Sequence, residues 1–197
     1  MTDVTFGIPV KPFGAAKRRL ADVLDPRARA RLGQQLAERT VRAVAECGAR
    51  PLVLSADDAV TRWAQAFGVK VQLDEGSSLD AAADTAVRRI RGEGGPWAIL
   101  HADLPIITGA DLSSAVELLR AGRSVIAPSS DGGTSLVGSS SDHFAFSYGS
   151  GSFHRHLRGL ASSNPAVVIS RGLLLDLDTP HDLAAASATP EGAWLTG

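Results

Sequence analysis

Apolar positions along this chain fall into two alternating rhythms. Short runs suited to strands occupy residues 4–10, 51–55, 69–73, 97–100, 124–128 and 166–169. Between them, apolar residues recur at helical spacing. Leu32, Leu36, Thr40, Val44 and Cys47 follow the helix start Asp25-Pro26, and Gly48 stops the run. Val60, Trp63, Ala64 and Phe67 follow Asp57-Asp58 and end at Gly68. After the turn Gly76-Ser77-Ser78, an alanine-rich helix is predicted over about 79–91. Thr108-Gly109-Ala110-Asp111 reads as a capping box for a helix ending near Ala121. Further helices are expected over 152–160 and from Pro180, with an extended piece over 173–178.

From Ser129 to Gly151 the texture changes, and glycine and serine dominate. Two short antiparallel strands, 135–138 and 144–147, are expected there, framing a loop-rich site. Strand and helix otherwise alternate. The predicted architecture is therefore α/β: three layers, α/β/α, around a mostly parallel Rossmann-like sheet with an antiparallel excursion.

The totals narrow the function. The 197 residues suit one domain with a sizeable core, and 44% apolar with 21% charged residues is an ordinary globular balance. A net charge of −1 offers nothing for nucleic acid or an anionic membrane. A local basic cluster for a small anionic substrate stays compatible with it. Cys47 is the single cysteine, which excludes an intramolecular disulfide and a thiolate metal cluster. No run approaches the roughly 20 apolar residues of a membrane span, and the N-terminus enters a strand pattern at once, so a cytoplasmic location is expected.

Three constellations carry candidate chemistry. The strand 97–100 runs through His101 and Ala102 into Asp103-Leu104-Pro105, which sets Asp103 at a strand's carboxyl end, where α/β folds bind ligands. Asp176-Leu177-Asp178 offers two carboxylates on one side of an extended piece, suited with Asp103 to a Mg²⁺ ion. Capping competes with this reading at Asp103 and again at Asp178-Thr179-Pro180. The loop after the first strand carries Lys11, Lys17, Arg18 and Arg19: either a solvated basic turn or a phosphate clamp, but not a P-loop, whose glycine-lysine pattern is missing. Gly149-Ser150-Gly151-Ser152, opening a helix, and Gly132-Gly133-Thr134 form either an anion site of backbone N–H groups or a hairpin and a capped helix. The histidines and Cys47 form no nucleophile arrangement, and no Gly-x-Ser-x-Gly elbow is present.

Taken in order, these residues resemble a known family. Ile8-Pro9-Val10-Lys11, Ala16-Lys17, Arg19-Leu20, Ala102-Asp103-Leu104-Pro105, Gly133-Thr134, Gly149, Gly151-Ser152-Phe153, His156, Asp176-Leu177-Asp178-Thr179-Pro180 and Asp182-Leu183 span nearly the whole chain. They are similar to the CofC/FbiD-type guanylyltransferases of coenzyme F-420 biosynthesis, which resemble the molybdenum-cofactor guanylyltransferases in fold. The resemblance implies a single nucleotidyltransferase domain over 1–197. It implies transfer of GMP from GTP to a phosphorylated three-carbon acid with release of pyrophosphate. That acid is phosphoenolpyruvate in bacterial members, 2-phospho-L-lactate in archaeal ones and 3-phosphoglycerate in some bacteria. By the same resemblance Asp103 and Asp178 hold Mg²⁺, and Lys17 sits on the nucleotide phosphates, with Lys11, Arg19 and Asp80 on the nucleotide side. Thr134, Gly149 and Ser152 bind the acid. A homodimer and hand-over of product to the next pathway enzyme are compatible with the family.

The departures are local. Arg18 stands where the family has serine or threonine. Ser78-Leu79-Asp80 replaces Gly-Leu-Asn, and the Gly-Thr-Gly-Thr loop is thinned to Gly132-Gly133-Thr134-Ser135. Asp80 puts a negative charge near the nucleoside in place of a neutral amide, so base preference is the property it bears on. Two other readings stay open: a nucleotide-sugar glycosyltransferase or another nucleotidyltransferase using Asp176-x-Asp178 as its metal motif, and a family member that binds ligand without turnover.

Overall fold

Strand β4 (Trp97–Leu100) shows how the layers are built. Its side chains alternate between the two faces of a sheet, and all four are buried. Ala98 and Leu100 join one core and Trp97 and Ile99 the other. The protein, a computed structural model described over residues 3–73, 78–141 and 144–196, repeats this division along β2 (Arg50–Ser55), β5 (Val125–Pro128) and β6 (Thr134–Ser139), while β1 (Thr5–Pro9) sends Phe6 and Ile8 into the first core and β3 (Lys70–Leu73) and β7 (Ala166–Val167) lie at the sheet's edges.

The strands form one sheet in the order β3-β2-β1-β4-β6-β5-β7. Every neighbouring pair is parallel except those of β6, which runs antiparallel to β4 and to β5. The α/β/α expectation, with its antiparallel excursion, is the architecture observed. Helices α1 (Pro26–Glu46), α2 (Asp58–Ala66) and α4 (Gly109–Arg120) bury apolar stripes against one face. On the other face α3 (Leu79–Gly92) packs Ala83, Ala86, Val87 and Ile90, and α5 (Ser152–Gly159) lays Phe153 and Leu157 against the same core.

The helix starts follow their sequence signals. Asp25 and Asp57 accept from the N–H groups of Ala28 and Val60, and Pro26 occupies the first turn of α1. Thr108 with Asp111 closes a capping box at α4. Gly76 and Ser77 lie outside the described residues.

Two expectations need correcting. Residues 144–147 are not a strand among the described residues. Phe144 and Phe146 both pack on Trp97 at 5.7 Å between ring centroids, so the alternation serves a side-chain clamp. The backbone there bonds to side chains: Ser147 N–H donates to His156 Nε2 and Tyr148 N–H to Asp80 Oδ1. Residues 173–178 are extended only in part. Ser170 caps a helical turn, α6 (Arg171–Leu174), and the chain extends after it.

The extended piece is anchored at Leu177. Its N–H donates to the Asp103 carbonyl at 2.9 Å, and its fully buried side chain joins Leu20, Leu32 and Leu36 in a small third core. The chain then enters α7 (Pro180–Ser187). Leu177 thus holds the backbone on which Asp176 and Asp178 stand, and Leu20 does the same for the loop that carries Lys17. Leu177→Ala is expected to lower the unfolding free energy by about 2–5 kcal/mol, the usual cost of a leucine-sized cavity. Urea unfolding of the two proteins measures it, and a loss below about 1 kcal/mol would remove this anchor from the account.

Candidate active site

Three segments far apart in sequence meet where β1 and β4 end. After β1 the chain makes two short 3-10 turns, Phe13–Ala15 and Arg18–Leu20. Lys17, between them, adopts a left-handed conformation with φ 53° and ψ 43°. A non-glycine residue in that region costs of order 1 kcal/mol and persists where its surroundings hold it. Here they do. The Lys17 carbonyl accepts from Leu20 N–H, and its ammonium lies 3.2 Å from both Asp103 Oδ2 and Asp178 Oδ1.

The four cations therefore separate. Lys17 is turned inward, with its side chain 8% exposed. Lys11, Arg18 and Arg19 face solvent. Arg19, 74% exposed, reaches Asp178 Oδ2 at 3.6 Å, a pair that solvent largely screens. The capping alternative for Asp178 is also resolved: Thr179 and Asp182 form the capping box of α7, which leaves both Asp178 oxygens to Lys17 and Arg19.

Electrostatics distinguish the carboxylates. Burial alone would push Asp103 up, but Lys17 and His101 outweigh it and hold the carboxyl below its usual range. Burial, reinforced by Asp103 and Asp131, pushes Asp176 up to about 6. Ser130 Oγ donates to Asp176 at 3.2 Å. Asp131 is held low, first by the Ser129 hydroxyl and then by the Gly133 N–H. Sequence reasoning passed over Asp131, because a lone acid in a glycine-serine loop carries no spacing signal.

The second half of the site lies across β6. Thr134, at the start of β6, is 3.1 Å from Ser152 Oγ and 3.0 Å from His156 Nδ1, and all three residues are about 1% exposed. His101 stands beside them, its N–H donating to the Ser135 carbonyl. Tyr148 packs against both imidazoles, at 5.2 Å from His101 and 4.8 Å from His156. Gly149 and Gly151 take φ of 105° and 68°, which favour glycine. The loop between them turns back on itself: Ser152 N–H donates to the Gly149 carbonyl and Phe153 N–H to that of Gly132. The first N–H groups of α5 are thus already engaged.

Asp80 is brought to this half as well. Its Oδ1 accepts from Tyr148 N–H at 2.8 Å, so the carboxylate clamps the aromatic loop to α3. His156, already among the residues that carry the family resemblance, lies four residues after Ser152, so both share one face of α5.

A mostly parallel sheet, with a basic loop after its first strand and the carboxylate of Asp103 just past the end of its central strand β4, defines a protein of the nucleotide-diphospho-sugar transferase class of folds. A Desulfovibrio desulfuricans chain described as a candidate nucleotide-diphospho-sugar transferase superposes with a TM-score of 0.76 at 17% identity, over 100% of this chain and 95% of that one. The family "Guanylyl transferase CofC like" matches residues 4–188, and the chain belongs to it. Phosphoenolpyruvate guanylyltransferase of Rubrobacter xylanophilus is 36% identical over 189 residues, covering 92% of both chains. 2-Phospho-L-lactate guanylyltransferase of Methanothermobacter thermautotrophicus is 32% identical over 191 residues, covering 94% of this chain and 84% of that one.

His156 gives this site a stability signature. Burial depresses its imidazole to about 4, with Asp80 opposing and Arg155 assisting. The unfolded chain takes up this proton near pH 6.5, while the folded protein refuses it until about pH 4. Stability is therefore lost as pH falls from about 6.5 to 4, with a slope approaching 1.4 kcal/mol per pH unit from this group. In His156→Asn that contribution to the slope is absent. Urea unfolding at a series of pH values tests this, and identical slopes in both proteins would refute it.

Proposed function

We propose that this chain is a guanylyltransferase that moves GMP from GTP to a phosphorylated three-carbon acid, with phosphoenolpyruvate the first candidate and 2-phospho-L-lactate the second. The observation that carries the reading is the contact of Lys17 with Asp103 and Asp178, at the strand ends of a chain that belongs to the CofC-like family. The product would serve coenzyme F-420 biosynthesis, and residues 1–197 act as one nucleotidyltransferase domain.

The reaction sets modest demands. A phosphate oxygen of the acid attacks the α-phosphorus of GTP. A new phosphorus–oxygen bond forms, the bond to the β-phosphate oxygen breaks, and pyrophosphate leaves. A phosphate monoester has its second pKa near 6, so the nucleophile is already ionised at neutral pH and no general base is required. Alignment and charge neutralisation are what the site supplies.

In this reading Lys17 neutralises phosphate oxygens, and its left-handed turn holds the ammonium at the strand ends. Lys11 and Arg19 add positive charge on the exposed nucleotide side. Asp80 acts instead through the loop it clamps at Tyr148, in the half that holds Thr134 and Ser152. Thr134, Gly149 and Ser152 take the acid.

Asp103 and Asp178 suit a Mg²⁺ ion. Asp103 Oδ1 is buried and has no hydrogen-bond partner, an oxygen left over for a cation. No group of three or more metal-ligating side chains occurs among the described residues. A Mg²⁺ ion needs only one or two carboxylates and completes its shell with water and phosphate. When bound, the ion would supply charge neutralisation at the phosphates.

Purified protein with Mg²⁺, GTP or ATP, and each three-carbon phospho-acid in turn tests the reading by pyrophosphate release. Release with GTP and phosphoenolpyruvate is expected, and EDTA should abolish it. Asp103→Asn and Lys17→Met should each lower kcat by about 10²- to 10³-fold, the scale for removing one electrostatic contact to a reacting phosphate. No release with any acid would sink the proposal.

A further inference from the structure

The hydrogen bonds around His156 contain one proton more than they have acceptors. Ser147 N–H is a donor only, and it points at His156 Nε2 at 2.9 Å. Nε2 must therefore be the unprotonated nitrogen, and the neutral ring carries its proton on Nδ1. Nδ1 lies 3.0 Å from Thr134 Oγ1, which accepts, and Thr134 Oγ1 lies 3.1 Å from Ser152 Oγ. Two contacts use two protons. The set of Nδ1–H, Thr134 O–H and Ser152 O–H holds three.

One hydroxyl proton, of Thr134 or of Ser152, is left without an acceptor among the described residues. Both residues are 1% exposed, so bulk water does not readily serve. An unpaired buried hydroxyl donor is unfavourable until an acceptor arrives. The other tautomer would remove the surplus: with Nδ1 accepting from Thr134, and Thr134 from Ser152, two protons would meet two contacts. The main-chain N–H of Ser147 thus decides whether the hydroxyl pair is satisfied or waits for an acceptor. The waiting donor stands beside the exposed turn 149–150, where Ser152 N–H and Phe153 N–H are already bonded within the protein.

We infer that His156, held as its Nδ1–H tautomer by the Ser147 N–H, is a positioning residue that turns the Thr134–Ser152 pair into a donor for an anionic oxygen of the phosphorylated acid. The inference rests on the guanylyltransferase reading for the identity of that acid. The tautomer itself does not depend on it.

Two substitutions separate the roles of the two ring nitrogens. His156→Gln retains an acceptor where Nε2 stood and loses the donor to Thr134. His156→Asn retains a donor where Nδ1 stood and loses the acceptor for Ser147. If His156 only supports the loop, glutamine is the milder change. If it orients the hydroxyls, asparagine is.

The expected result is a rise of about 10-fold or more in KM for phosphoenolpyruvate in His156→Gln, with KM for GTP changed less than about 2-fold. His156→Asn is expected to stay within about 3-fold of the parent. Equal losses in both variants, or a loss shared by GTP, would overturn the assignment. On the parent protein, ¹⁵N-histidine NMR should show a protonated Nδ1 and a bare Nε2 at neutral pH. A protonated Nε2 overturns the inference without reference to turnover. Absence of turnover in the parent counts against the guanylyltransferase reading alone. In that case phosphoenolpyruvate titrated into the same NMR sample decides the donor role, and failure to perturb the His156 signals overturns it.

Discussion

One ammonium group ties the active half of this molecule together. Lys17 Nζ touches carboxylates 86 and 161 residues away in sequence, and none of the three segments is held there by the charges alone. A part-buried ion pair is weak as a source of stability, because desolvating the ions offsets much of their attraction. What holds the segments is apolar. Leu20 and Leu177 are fully buried in the same small core, and the Leu177 N–H bonds to the Asp103 carbonyl. The leucines supply the position that brings the three charges together. Lys17 alone does not neutralise both carboxylates, and the exposed Arg19, 3.6 Å from Asp178, adds only a screened charge. That residual charge, and the unpartnered Asp103 oxygen, suit a cation.

Strand β4 serves both halves of the site. Its carboxyl end leads to Asp103, while Trp97 at its start supports the aromatic loop through Phe144 and Phe146. The antiparallel strand β6 is what makes this economy work. By reversing direction beside β4 it sets Ser135 opposite His101, so the adjoining Thr134 and the carboxylate of Asp103 share one end of the sheet. A parallel strand in that place would begin at the other end.

The strands and helix caps were legible because their determinants are local. Asp25-Pro26 and Thr108 through Asp111 act within four residues of themselves. Residues 144–147 defeated the same reasoning for a physical reason. Alternating aromatics are equally good for a strand and for a clamp on Trp97, and only the position of Trp97, 47 residues earlier than Phe144, decides between them. In the basic loop, which cation turns inward depends on the left-handed turn at Lys17, and no residue preference marks a lysine for that conformation. Asp178 was ambiguous between cap and site until Thr179 was seen to close its own box with Asp182. The family resemblance supplied what local rules lacked, since it ordered distant motifs that only the fold brings into contact.

Asp80 was the departure of greatest consequence in the sequence, a charge where a neutral amide is expected. In the structure the carboxylate is engaged by Tyr148 N–H, a bond that an amide oxygen would accept equally well. The loop therefore does not require the charge. What the charge alters is the field behind the loop, where it pulls the His156 pKa upward. Burial pulls the other way and prevails, leaving the imidazole near 4 and neutral at working pH. A neutral residue at 80 would only deepen that neutrality. The hydrogen-bonded chain from Ser147 through His156 to Thr134 and Ser152 thus tolerates either residue at 80, so the departure is compatible with an intact hydroxyl–imidazole half of the site.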